Sequence, residues 1–194
     1  MSWIKIPPNF APEEAMMLIF VGLDINEDGK VTVEELRETA RRERISDREV
    51  TKFLQRFDAN RDGVITFDEY VRGLNLNREE AIKERRIRIN ERDAPPKFDV
   101  DGVEIVHSTM TVTRQKEVVA KFQELLHKYG DRDEQMNLIL NEMKTYLDSQ
   151  YLKTWQCLIL NGSYWMKFNH EPFGSIQFQM GKNRVFVAWR INRA

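Results

Sequence analysis

Apolar positions along the chain follow two periods, and the change from one to the other falls near the middle. In PEEAMMLIFVGL (12–23), Met16, Ile19, Phe20 and Leu23 recur at the spacing that gathers side chains on one face of a helix. Pro12 followed by two glutamates suits a first helical turn, since proline presets φ and the acids meet the helix dipole. Ser46-Asp47-Arg48-Glu49 has the form of a capping box, and the helix it opens turns Val50, Phe53, Leu54 and Phe57 inward. Residues 77–93, NREEAIKERRIRINERD, have only Ala81, Ile82, Ile87 and Ile89 as apolar members. Pairs one turn apart such as Glu84 with Arg88 predict a solvated helix, an exposed spacer ended by Pro95-Pro96.

Beyond the prolines the spacing alternates between strand and helix. VEIVHSTM (103–110) reads as a strand. Residues 111–130 form a helix with Val118, Val119, Phe122, Leu125 and Leu126 inward, closed by Gly130. Residues 131–151 form a second helix with Met136, Ile139, Leu140, Met143 and Leu147 inward. Four strands follow, at 154–160, 163–169, 174–180 and 184–191. Ile176, Phe178 and Met180 alternate with glutamines, as in a half-exposed strand, while RVFVAWRI is apolar on both faces, as in a covered central one. The order β-α-α-β-β-β-β is an α+β domain. The organisation expected is 1–76 as one module, 77–99 as a charged helical linker and 100–194 as a second module.

Between the helices of the first module lie two stretches with a chemistry of their own. DINEDGKVTVEE, Asp24 to Glu35, fits the twelve-residue EF-hand calcium loop. Asp24, Asn26 and Asp28 supply side-chain oxygens, Gly29 permits the sharp turn, and Lys30 offers its carbonyl. Thr32 ligates through water and Glu35 bidentately. DANRDGVITFDE repeats the pattern with Asp58, Asn60, Asp62, the carbonyl of Val64, Thr66 and Glu69, with Gly63 at the turn. Val31 and Ile65 hold equivalent places, where two hands pair through a short β bridge. The first module is thus an all-α EF-hand pair with two Ca2+ sites, and whether Mg2+ fills them at rest stays open. So does the choice between sensor and buffer. A sensor would expose an apolar groove, for which Met16, Met17, Phe20, Phe53 and Phe57 are the candidates, and the same residues serve equally as packing core. A second reading of residues 77–93 docks their basic face on an acidic partner, the EF-hand pair included.

Composition narrows the rest. The net charge of -1 argues against a dedicated nucleic-acid binder, and acidic residues cluster in the front half. The single cysteine fits a reducing compartment, and the N-terminus lacks the apolar core of a signal peptide, so a cytoplasmic location is expected. No apolar stretch is long enough to span a bilayer. His107, His127 and His170 are scattered and form no recognised metal spacing, and no phosphate-cradling glycine loop is present, so no enzyme is expected.

The second module resembles the small dynein light chains. Tyr151, Thr154-Trp155 and Cys157 stand as in that family's Y-x-P-T-W-x-C segment, with Lys153 in place of its proline. Ser163-Tyr164, His170-Glu171, Phe178 and Gly181 match its later marks, so the likeness covers about 103–191. It implies a dynein-light-chain-like domain in which Trp155 and Cys157 belong to core or interface, without thiol chemistry. It further implies a homodimer made by a crossing strand, and an edge groove that takes an extended peptide, with Ser163, Tyr164 and His170 at the matching positions. The spacings around Ser163 and His170 depart from the family's, Gln156 replaces an interface histidine, and Gln177 and Gln179 replace groove aromatics.

An EF-hand pair followed by such a domain is similar to the tegumental-allergen-like calcium-binding proteins of parasitic flatworms. That resemblance implies association with the outer cytoplasmic layer, the tegument, and its cytoskeleton. Three functions follow: a calcium-responsive adaptor to protein or cytoskeletal, dynein-type partners; a calcium buffer or structural protein anchored by its light-chain-like domain; or a motor subunit.

Overall fold

The helical spacing of 12–23 is realised as α1, Pro12–Leu23, and its inward residues meet a core made largely of rings. The computed structural model describes residues 12–93, 97–164, 166, 168–181 and 183–191, and the chain divides into two units, Met1–Pro95 and Pro96–Ala194.

In the first unit α1 is followed by β1 (Lys30–Thr32), α2 (Val33–Arg42), α3 (Asp47–Phe57), β2 (Val64–Thr66), α4 (Phe67–Gly73) and α5 (Arg78–Asp93). The strands β1 and β2 pair antiparallel with Val31 opposite Ile65, so the two loops lie back to back. Phe20 meets Phe67 edge-on at 5.2 Å between centroids, and the Tyr70 ring lies 4.3 Å from Phe57 and 4.9 Å from Phe20. Met17, Leu23, Leu36 and Ile65 close the same core. The Tyr70 hydroxyl donates to the Met16 carbonyl at 2.6 Å, fastening α4 to α1. A Cβ on Gly73 would stand 2.7 Å from the Phe57 ring, so the close approach of α4 to α3 needs glycine there. The groove candidates Met17, Phe20, Phe53 and Phe57 are all buried, and Met16 is half-buried.

Helix α5 is no exposed spacer. Asn77 caps it, its side-chain oxygen accepting the Glu80 N–H at 3.0 Å, and it packs on α1 and α4. Ala81 and Glu84 are fully buried and Arg88 is 8% exposed. The anticipated Glu84–Arg88 pair forms at 2.7 Å, but inside the unit rather than in water. A composition-based reading misses this because mutual neutralisation lets two charges replace apolar residues on the packed face, with the arginine stem supplying hydrocarbon.

The second unit runs β3 (Val103–Ser108), α6 (Val112–Tyr129), a 3-10 turn (Asp133–Gln135), α7 (Met136–Gln150), β4 (Trp155–Asn161), β5 (Ser175–Met180) and β6 (Arg184–Arg190). The sheet is antiparallel in the order β3-β5-β6-β4, with β6 covered on both edges as its apolar run requires. Val118, Phe122 and Leu125 from α6, and Ile139, Met143 and Leu147 from α7, pack on Trp155, Ile176, Phe178 and Phe186. Phe122 stands edge-on to Phe178 at 5.4 Å. Trp155 is fully buried, so the apolar run that begins at Tyr151 enters the core there, while Cys157 and Ile159 on the half-buried β4 pack partly against it.

One of the expected strands is missing. The described part of 163–169 has no regular structure. Gly162, at φ 86, turns the chain away from β4. The segment then spends its side chains on the sheet face opposite the helices: the Tyr164 hydroxyl accepts from Gln177, and the Phe168 ring lies 4.8 Å from Trp189. Helix α7 also starts later than its spacing suggests, because Asp133–Gln135 winds as a tighter turn first.

Candidate metal sites and partner surface

Each loop between an entering and an exiting helix is bent by its own side chains. In the first, Asp24 Oδ2 accepts from Gly29 N–H at 3.2 Å, Asn26 Oδ1 from Asp28 N–H at 3.1 Å and Asp28 Oδ1 from Lys30 N–H at 2.8 Å. The second repeats these three, Asp58 Oδ2 from Gly63 N–H at 3.0 Å, Asn60 Oδ1 from Asp62 N–H at 3.0 Å and Asp62 Oδ1 from Val64 N–H at 2.8 Å, and adds one, Asp58 Oδ1 from Asp62 N–H at 3.2 Å. Gly29 and Gly63 sit at φ 80 and 82, as the turn demands. Glu27 and Arg61, at φ 62 and 60, take the left-handed region too, a strain at the loop's fourth position that the residue pattern did not disclose.

The last two ligand positions are held together. Glu35 Oε2 accepts from the Thr32 N–H at 2.8 Å and from its hydroxyl at 2.9 Å, while Thr32 Oγ1 caps the Glu35 N–H at 3.2 Å. Thr66 and Glu69 make the same box. For Glu69, burial works against the charge, but hydrogen bonds from the Thr66 hydroxyl and from the Thr66 and Asn60 N–H groups outweigh it and hold the carboxyl below its usual range. With both glutamates capping α2 and α4, no three His, Cys, Asp or Glu side chains among the described residues converge as a ready metal group. The fit to a hard cation rests on another atom. Asp24 Oδ1 is buried and without a hydrogen-bond partner, at the mouth of an oxygen-lined loop, and that is an oxygen a calcium ion would satisfy.

The basic face of α5 does meet the EF-hand pair, the partner named in the second reading of residues 77–93, but sequence reasoning did not single out Arg85. From α5 its guanidinium reaches Asp24 and the Glu27 carbonyl, and the only sequence signal is its place in the stripe Arg85, Arg88, Arg92.

In the second unit Ser163 is exposed, Tyr164 lies against Gln177, and His170 Nδ1 is 2.9 Å from the Glu171 carbonyl. The fold brings His170 towards His107 on β3: burial first, then the charge of His170, lowers the pKa of His107. Strands β3 and β4 are the two edges of the sheet among the described residues. Burial pushes the Cys157 thiol up to about 12, with Lys144 pulling it down and Asp148 raising it further. No helix among the described residues is long and apolar enough to cross a membrane.

Two helix–loop–helix calcium hands joined to an α+β light-chain unit define a class of calcium-binding protein. The family model of the EF-hand domain pair matches residues 13–74, and that of dynein light chain type 1 matches residues 102–191. The chain belongs to the flatworm tegument antigen family of calcium-binding proteins: it is 34% identical over 178 residues to a tegument antigen of Schistosoma mansoni, covering 91% of this chain and 93% of that one. It is 35% identical to Antigen Sm21.7 of the same organism, over 87% of this chain and 91% of that one. The dynein light chain-like domain of a Fasciola hepatica calcium binding protein matches at 45% identity and TM-score 0.46, over 49% of this chain and 97% of that domain.

Proposed function

We propose that this protein is a calcium-responsive adaptor. It binds Ca2+ in two sites, through Asp24, Asn26, Asp28, Lys30, Thr32 and Glu35, and through Asp58, Asn60, Asp62, Val64, Thr66 and Glu69. Its light-chain-like unit holds a protein or cytoskeletal partner of the dynein type. The observation that carries the reading is the set of three bonds that both loops share, together with the unpartnered Asp24 Oδ1. Calcium, when bound, supplies charge and a demand for six to eight oxygens. The chain's own part is to present them, and Glu35 and Glu69 must each leave a capping box to do so. That exchange at the start of α2 and α4 is the local event through which binding reaches the helices.

The partner surface is the sheet edge and the segment beside it, with Ser163, Tyr164 and His170. An edge strand offers unpaired backbone groups, so either an extended peptide or a second copy of this chain, as a homodimer, extends the sheet. The protein acts without catalysis, and burial holds its cysteine, Cys157, as a thiol. Its place is the cytoplasm, in association with the tegument, and a relative named tegument antigen supports the second part.

A second reading, calcium buffer or structural protein, is favoured by one observation: the groove candidates are locked in an aromatic core. The experiment is a calcium titration of the whole chain in millimolar magnesium, followed by an apolar-surface dye. A saturable rise that is lost in E35Q/E69Q supports the adaptor. Calcium uptake without a dye response gives the buffer, and no uptake would overturn both.

A further inference from the structure

The two loops share three internal bonds, but among the described residues α5 reaches the first carboxylate of the loop only in the first hand, its bridge to the second ending on Asp68. Arg85 of α5 donates to Asp24 Oδ2 and, at 3.0 Å, to the Glu27 carbonyl. Its guanidinium also lies over the Phe67 ring, 5.4 Å from the centroid. One turn pair further along the helix, Arg92 donates to Glu27 Oε1 at 2.7 Å and to the Val21 carbonyl at 3.4 Å. In the second loop Asp58 accepts from the N–H groups of Asp62 and Gly63, both within its own loop.

We propose that α5 is a clasp on the first calcium loop, with Arg85 acting as a built-in cation that weakens that loop's hold on calcium and is itself loosened when the loop is filled. The proposal rests on the two-site calcium reading above and deepens it into a mode of regulation. Arg85 brings charge rather than orientation, because Gly29 N–H already fixes Asp24 Oδ2 as Gly63 N–H fixes Asp58. A guanidinium on the same carboxylate repels a divalent ion at the other oxygen. Binding free energies are reciprocal, so whatever Arg85 takes from the affinity of the loop, a filled loop takes from the docking of α5. The two sites are therefore unequal, and occupancy of the first is reported by the helix that leads out of the unit. The buried Glu84–Arg88 pair and the Arg78–Asp68 bridge, at 2.9 Å, keep the rest of α5 in register while the Arg85 contact changes.

The test uses the full chain. Calorimetry with calcium is run on E69Q, which leaves the first loop as the site observed, with and without R85M, a change that keeps an unbranched stem. R85M is expected to tighten the first site on the order of tenfold. R86M, the same loss of charge at an exposed position of α5, is expected to leave it unchanged. In the wild-type chain, amide exchange across 78–93 is expected to quicken on adding calcium, and not in E35Q. Unchanged or weaker calcium binding in R85M, or calcium uptake with exchange in α5 unaltered, would overturn the clasp and leave the calcium reading standing. Absence of calcium uptake by the wild-type chain would overturn the calcium reading, and the clasp with it.

Discussion

Tyr70→Phe separates the closed core from the calcium sites more cleanly than any change in a loop. It removes one oxygen and leaves the ring against Phe57, Phe20 and Phe53. What is lost is the 2.6 Å bond to Met16, which ties the last helix of the second hand to the first helix of the first. The Met16 carbonyl stays in the ladder of α1, so the loss is that of an ordinary neutral hydrogen bond, about 1 kcal/mol. For a unit of this size that is a fall in Tm of about 4–8 °C in the calcium-free protein. If filling the loops opens the hands, this bond belongs to the closed state alone. A destabilisation of about 1 kcal/mol then lowers the calcium needed for half-maximal dye response by up to about fivefold. The assay pairs a thermal melt without calcium with a calcium titration read by dye. A lowered Tm with an unmoved calcium midpoint would mean that the core does not open with the sites, and the buffer reading would stand.

Three further outcomes can be checked independently. The Glu69 carboxyl is held below its ordinary 4.5, so its contribution to calcium-free stability is full above that pH and disappears as pH falls through the lowered value. Melts between about pH 7 and pH 3 should therefore fall less steeply in E69Q than in wild type. Cys157, raised to about 12, should react with a disulfide reagent at pH 8 about a thousandfold more slowly than an ordinary cysteine, and rates near those of a free thiol would mean the strand is open. Arg190 donates to the Tyr151 carbonyl at 2.9 Å and the Pro172 carbonyl at 3.2 Å; Arg190→Met should cost about 2–3 kcal/mol, seen as a drop of about 10 °C or more in the melt of the second unit.

Much of this was legible in the residues. The calcium loops announce themselves because oxygen ligands, a forced turn and a capping threonine must fall at fixed spacing, and both copies keep all of them. Ile176 and Phe178 alternate with Gln177 and Gln179, and they do lie on opposite faces. Two kinds of information escaped. The segment after Gly162 has apolar and aromatic residues enough for a strand, but Tyr164 and Phe168 find partners on the sheet face without extended pairing, which no local period encodes. Helix α5 looks solvated because three of its buried positions are the charged Glu80, Glu84 and Arg88, and the grip of Arg85 on Asp24 spans residues far apart in the chain.

The buried pair in α5 also constrains how such a helix can drift. Replacing either Glu84 or Arg88 alone breaks a buried ion pair inside the unit, a cost of about 3–5 kcal/mol, which is a large part of a small unit's stability. Replacing both together by apolar residues of similar volume is close to neutral. Single-step mutational scans will therefore record these two positions as intolerant, while paired libraries will recover hydrocarbon there. Among relatives, the two sites should change hands as one character.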